Sequence, residues 1–463
     1  MKITPICLAV SLLLGSGASH AATDARLLAR IERMAAELDA VKAELKAVKA
    51  EAAARQAAPP AAATAAASAQ PAVTPPLAAA PGPVATVEPN ASPTPYTSPL
   101  TPSTSQTTFF GYGEINYNRP FRDQSQTQLD VRRAIIGIAH QASERTRIVG
   151  EFEFEHSVTS ADDAGEVAVE QLYVEHRLTD NVSAKGGLFL IPLGFLNLVH
   201  EPTSYYGVER NFVETAIIPS TWREVGLSAF GVSDAGLRWD VGLTSGFNLN
   251  KWDGASSEGK ESPLGSIHQE GQLARANQLS VYGALSWRGT PGLDVGAGLF
   301  TGKMAHKVKT PSEMEANAAG LYAPDARLTL WDAHVRWTPG KWDLSALYAR
   351  GTITDTAGFN ERLAGTNLVP KSFFGWYTQA AYKVWENGEY ALSPFARYEI
   401  FNTAASFAAL PAGLGATADQ DEKVLTAGAN LRVGSNVVLK ADVQRFQLAR
   451  ERDRLNLGIG YQF

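Results

Sequence analysis

From Thr108 to Phe463 sixteen segments with period-two alternation of apolar and polar residues or with glycine-aromatic content can be set out, separated by turn residues. They span 108 to 117, 127 to 140, 145 to 157, 165 to 177, 181 to 190, 222 to 231, 235 to 247 and 275 to 288, then 292 to 301, 326 to 338, 341 to 351, 371 to 385, 389 to 401, 423 to 432, 436 to 447 and 453 to 463. In the third, Phe152 and Phe154 alternate with Glu151, Glu153 and Glu155; in the tenth, Trp331, Ala333, Val335 and Trp337 alternate with Asp332, His334 and Arg336. Successive side chains of a strand point to opposite faces, so each of these strands has one oily and one charged face. In the second run Arg132 and Arg133 are adjacent, which predicts that they point to opposite faces with one of them at a rim.

The connections alternate as well. Gln141 to Glu144, Leu178 to Asp180, Val232 to Asp234, Gly289 to Pro291, Pro339-Gly340, Glu386 to Gly388 and Val433 to Ser435 are short and rich in turn residues, whereas 191 to 221, 248 to 274, 302 to 325, 352 to 370 and 402 to 422 are long. Nothing in a soluble β-sandwich makes loop length alternate so regularly. An even number of strands with short turns at one rim and long loops at the other predicts an all-β transmembrane fold, a sixteen-stranded antiparallel outer-membrane β-barrel over residues 106–463. Sixteen strands enclose too wide a middle for side chains to fill, so the charged faces are expected to line water. Trp287, Trp337, Trp342 and Trp385 stand beside the predicted periplasmic turns, where an interfacial girdle belongs, and the last strand carries Leu455, Leu457, Ile459, Tyr461 and Phe463 on one face.

Three segments precede the barrel. Residues 1–22 hold Lys2, an apolar run from Ile6 to Leu14 and small residues up to Ala22, the pattern of a secretory signal peptide too short to span a bilayer. Over residues 23–56, Leu27, Ile31, Met34, Leu38, Val41, Leu45 and Val48 follow a four-three spacing that predicts a coiled-coil helix in the periplasm. Ile31, Leu38 and Leu45 against Met34, Val41 and Val48 lean toward an oligomer above the dimer, and a homotrimer is expected. Residues 57–105 are an Ala/Pro-rich linker that cannot bury a core.

Composition narrows the function. With 41 Lys+Arg against 47 Asp+Glu the net charge is −6, and no basic excess favours nucleic acid. The one cysteine, Cys7, lies in the leader, so disulfides, thiolate metal sites and cysteine nucleophiles are not expected. No cofactor, metal or catalysis is implied.

The third long connection holds Glu201, Glu209, Arg210 and Glu214, with Arg223 just after it, and folded inward these would set the field at a constriction. On the wall, the candidates for pore-lining charges are Arg132, Arg133, Arg147, Glu151, Glu153, Lys185, Arg238, Asp240, Asp332, His334, Arg336, Arg397, Glu399, Lys440 and Asp442. Both signs are present, and over residues 101–463 there are 33 basic against 40 acidic side chains. The reading is a porin for passive diffusion of small hydrophilic solutes, in contact with outer-membrane lipid. Two rivals are a tether, whose helix would reach through roughly 48 Å of periplasm toward the cell wall, and a hydrolase built on Asp332, His334 and Ser345.

Phe110-Gly111-Tyr112-Gly113-Glu114, Asp130-Val131-Arg132-Arg133-Ala134, Gly187-Leu188-Phe189, Pro192-Leu193-Gly194-Phe195 and Glu209-Arg210, followed by Pro219, Gly226 and Gly231, resemble in order and spacing the phosphate-selective porins of the O and P type. That resemblance implies a Gram-negative outer-membrane trimer passing small anions, phosphate above all, with Arg132 and Arg133 as candidate contacts. Family members often carry a basic residue where this chain has Leu190 and Ile191.

Overall fold

The computed structural model describes residues 106–463 apart from 161–162, 255, 307–324, 364–366 and 411–415. The signal peptide, heptad helix and linker expected from the sequence lie outside the described residues.

The strands form one antiparallel meander: β1 (Thr107–Pro120), β2 (Gln128–Ser143), β3 (Thr146–Glu155), β4 (Glu166–Arg177), β5 (Val182–Leu190), β6 (Arg223–Val232), β7 (Leu237–Thr244) and β8 (Ser280–Trp287), followed by β9 (Leu293–Lys303), β10 (Arg327–Trp337), β11 (Trp342–Ile353), β12 (Ser372–Tyr382), β13 (Tyr390–Ser406), β14 (Glu422–Val433), β15 (Val437–Phe446) and β16 (Arg454–Gln462). A short segment, Trp385–Asn387, continues β12 and pairs with the same neighbour, β13, so seventeen paired segments make sixteen strands. β1 pairs with β16 from Tyr112↔Gln462 to Pro120↔Arg454, which closes the sheet and leaves no strand edge. Tight turns at one rim use left-handed glycines, among them Gly340 and Gly434, which meet φ values a side chain would resist. No helix among the described residues is long and apolar enough to cross a membrane.

Face alternation follows the sequence. Trp331 is 39% exposed while its neighbour Asp332 is 1% exposed, and Phe152 and Phe154 face out where Glu151 and Glu153 are buried. Two strands fall furthest short of their patterns. β7 stops at Thr244 because Gly246 turns left-handed (φ 70°) and sends Phe247 inward, and residues 275–279 belong to the fourth long loop instead of β8.

The interior also differs from a water-lined tube. Toward the long-loop rim the inner wall of β9–β12 is apolar, with Phe300, Leu330, Leu347, Ala349 and Phe373 buried, and the third and fourth loops pack onto it. Trp222 lies with its ring 4.6 Å from that of Phe300 and 5.0 Å from that of Phe247. Leu249, Leu264 and Ile267 join them from the fourth loop, so apolar loop residues that would otherwise face water are seated inside the barrel.

Candidate pore and the loop that crosses it

Two bulges decide which wall residues reach the lumen. Between β1 and β2 the register passes from Glu114↔Arg133 to Ile115↔Val131, leaving Arg132 as the extra residue. Leu129 and Val131 face outward on odd numbers and Ile136 outward on an even one, so Arg132 and Arg133 both fall on the lumen side. This corrects the expectation that they point to opposite faces. The same device recurs between β3 and β4, where Glu151↔Gln171 is followed by Phe152↔Val169 and Glu170 is the extra residue. Val169 and Leu172 stay outward while Glu170 and Gln171 are both buried inside.

On β1–β4 the inward charges neutralise one another. Arg133 lies 2.8 Å from Glu114, 3.1 Å from Glu153 and 3.7 Å from Glu155. Gln171 donates to Glu151, and Arg147 pairs with Glu175 at 2.7 Å. On β5–β12 the pattern continues: Lys185 with Asp240 (3.5 Å), His334 with Asp332 (2.6 Å) and Arg336 with Asp343 through two bonds of 2.9 and 2.6 Å. Asp240 also accepts from Ser228 and Tyr282, and Arg238 sits within electrostatic range of Arg288 and Asp294.

The third loop, residues 191–222, runs across this interior. Its first half meets β1–β4 through side chains: His200 Nε2 stands 2.8 Å from Glu170 Oε1, and the Tyr205 hydroxyl donates to Glu114 at 2.9 Å. It meets β13–β16 mainly through its backbone. Arg432 donates to the Thr203 carbonyl (2.6 Å), Arg397 to that of Tyr206 (3.2 Å) and Lys440 to that of Gly207 (2.8 Å). In the opposite sense, the amide of Val208 donates to Asp442 (2.6 Å) and that of Phe212 to Glu399 (2.8 Å). Lys440 also lies 3.6 Å over the Tyr205 ring, and Thr203 donates to Gln462 on β16.

The second half turns back through a five-residue π turn, Val213–Ile217, built on Glu214. Its carboxylate accepts from the amides of Phe195 (2.5 Å) and Leu196 (2.7 Å), from Asn211 (2.7 Å) and from the Tyr377 hydroxyl (3.0 Å). Burial pushes the Glu214 pKa up, with these donors pulling against it. Burial likewise raises that of Glu201.

Of the loop charges singled out in the sequence, Glu209 accepts from Asn118 at 3.0 Å and is half-buried, Arg210 is buried and donates to Ser220 and to the His200 carbonyl, and Arg223 pairs with Glu270 at 3.0 Å. Glu214 ties the loop to itself and to β12. Sequence reasoning missed Glu170, Asp343 and Arg432, and took Glu114 only as part of the first-strand motif. For Glu170 a signal was present, a pair of adjacent polar residues inside an otherwise alternating strand. Of Asp332, His334 and Ser345 the first two pair, while Ser345 stands opposite Arg336 and accepts from Gln379 at 3.4 Å and the His334 ring packs on Phe195 at 4.5 Å.

A family model described as phosphate-selective porin O and P matches residues 109–443, from β1 to most of β15. An uncharacterized protein of Aquifex aeolicus (strain VF5) is 28% identical over 354 residues, 74% of this chain and 76% of its own. Among solved structures the chain is similar to Salmonella typhi OmpF in complex with daunomycin, at a TM-score of 0.52 and 16% identity over 77% of this chain and 97% of that one. It is more loosely similar to an anion-selective porin from Comamonas acidovorans, at a TM-score of 0.47 and 12% identity over 77% and 99% of the two chains. With its closed sixteen-stranded barrel and the match running nearly the whole way round it, the chain belongs to the phosphate-selective porin O and P family of outer-membrane porins.

Proposed function

We propose that this outer-membrane channel passes small hydrophilic solutes by diffusion, with small anions such as phosphate among them but without a site dedicated to phosphate, and that it works as a homotrimer. The observation that carries the reading is the third loop strapped across the lumen by Arg397, Arg432 and Lys440, which makes it a fixed constriction. Phosphate recognition calls for convergent Arg or Lys donors with few carboxylates beside them. Here Arg133, Arg147, Lys185, Arg336 and Arg397 each sit against a carboxylate, and Leu190 and Ile191 are fully buried apolar residues. Arg132, Arg432 and Arg454 remain half-buried in the lumen and supply a mild field for anions. The heptad seam read in the sequence supports the trimer.

Planar-bilayer conductance tests this. Open channels with a small reversal potential in a KCl gradient, and no block by phosphate, are expected. Strong anion selectivity with phosphate block would overturn the absence of a dedicated site, and no conductance at all would overturn the channel in favour of a periplasmic tether.

A further inference from the structure

The outward positions of each strand can be followed from its exposed oily residues, because side chains alternate between the two faces. On β2–β8 these positions carry no charge open to lipid: Arg223, at the head of β6, is buried and paired with Glu270 of the fourth loop at 3.0 Å. On β9–β16 and β1 they carry Lys303, Arg327, Arg350, Lys423, Arg445 and Arg119, every one of them basic and no carboxylate among them.

All of these cations stand toward the long-loop ends of their strands. Arg350 lies eight residues along β11 from Trp342, and Arg327 ten residues along β10 from Trp337. At about 3.3 Å per residue and a tilt of about 40°, that puts them roughly 20 and 25 Å above the tryptophans of the short-turn rim, the height of the apolar band. Outward aromatic rings mark the same level: Trp331 stands directly opposite Arg350 and packs on Tyr348 at 5.2 Å, and Trp376 packs on Tyr398 at 5.9 Å. Tryptophan and tyrosine gather where the headgroups begin, so the cations sit at headgroup depth on the long-loop side.

The protein answers few of them. Lys303 pairs with Asp325 at 3.2 Å and Arg445 with Asp453 at 3.1 Å, whereas Arg119, Arg327, Arg350 and Lys423 meet no carboxylate among the described residues. Inside the lumen the rule is the reverse, with Arg133, Arg147, Lys185, Arg336 and Arg397 each held against one. Arg327 moreover stands directly opposite Lys303, and like charges facing each other across two strands destabilise a sheet. On β14 and β15 Lys423 lies two residues from Leu425, the partner of Arg445, so a second pair of cations shares neighbouring strands. Basic side chains of one sign on a lipid-facing wall are relieved by an anion from the membrane, and at this depth that anion is a headgroup phosphate. Arginine forks suit phosphate oxygens, and cations set in neighbouring pairs suit a headgroup with more than one phosphate.

We propose that the outer wall of β9–β16 and β1 binds a multiply phosphorylated glycolipid of the outer leaflet, through Arg327 and Arg350 on one flank and Lys423 and Arg119 on the other. Its acyl chains lie along the oily strand faces below, and its phosphates take the place of the carboxylates that the wall lacks.

The test is lipid retention by the purified full-length protein in detergent, read by native mass spectrometry. The probes are diphosphoryl lipid A, the same lipid with both phosphates removed, and phosphatidylglycerol. Several-fold greater retention of the diphosphoryl lipid than of either other is expected. Combining Arg119→Gln, Arg327→Gln, Arg350→Gln and Lys423→Gln should bring it down to the level of phosphatidylglycerol, whereas Lys383→Gln, at the short-turn rim, should leave it unchanged. Retention of the phosphate-free lipid equal to that of the diphosphoryl form would overturn the proposal, and equal retention of phosphatidylglycerol would overturn the glycolipid as the partner. Undiminished retention by the combined variant with its strand signal intact, or an equal loss in Lys383→Gln, would overturn the assigned residues. The comparison of lipids on the unaltered protein decides the matter even where the combined variant does not fold.

Discussion

On β1–β4 the third loop meets side chains with side chains, His200 against Glu170 and Tyr205 against Glu114; on β13–β16 its polar contacts are mainly from its backbone, three carbonyls to Arg432, Arg397 and Lys440 and two amides to Asp442 and Glu399. The difference separates two jobs. Bonds to backbone are indifferent to which side chain the loop carries at that position, although the Tyr206 and Phe212 rings also pack on Phe395, Phe401 and Phe446 of this wall. Contacts between ionisable side chains depend on both partners and on pH.

The largest effect in breaking this contrast is expected from Arg133→Ala. It leaves Glu114 and Glu153 facing each other in a buried site, which costs roughly 3–5 kcal/mol. Urea unfolding in detergent should show the loss, and the reversal potential should move toward cations. Glu214→Ala comes next: it deprives the backbone amides of Phe195 and Leu196, Asn211 and Tyr377 of their acceptor, for roughly 3 kcal/mol. Because this turn anchors the returning half of the loop, single-channel conductance should rise and become noisier.

Lys440→Gln with Arg397→Gln tests the backbone wall directly, and about 1–3 kcal/mol of loop anchoring is expected to go. Faster trypsin cleavage within 191–222 would report it, and an unchanged cleavage rate would mean the straps are redundant. The smallest effect is that of pH. Burial works against the His200 imidazolium, but Glu170 beside it more than offsets this and holds its pKa above the usual histidine value. A raised folded-state pKa gives anchoring that is complete below about pH 6.5 and is lost as pH climbs through the raised value. Conductance noise should therefore grow on the alkaline side, and His200→Gln should remove that dependence.

Much of this barrel can be read from its residues. Period-two runs such as Trp331 to Trp337, with glycine-aromatic content where alternation is weak, located the strands, since only one face meets lipid, and turn residues such as Pro339-Gly340 marked the short rim. Backbone irregularity was harder to read. A bulge shifts parity by one, and from sequence Arg132-Arg133 looks like an interruption when it is two lumen charges side by side. The inner apolar wall was also hidden, because Leu347 and Ala349 follow the lumen parity of Ser345 and only the loop seated on them explains why they are oily. Within the loop, the sequence displayed Glu214 as a charge, and only the turn around it shows a carboxylate spent on its own chain.

The bulges also bear on how such a chain can change by gain or loss of single codons. Removing one residue from a regular strand exchanges its oil and water faces from that point on. Removing Arg132 or Glu170 would instead restore an even ladder with Val131, Ile136, Val169 and Leu172 still outward. At these two positions the loss of one residue is neutral to the lipid face, so the charge of the lumen can be edited by length as well as by substitution.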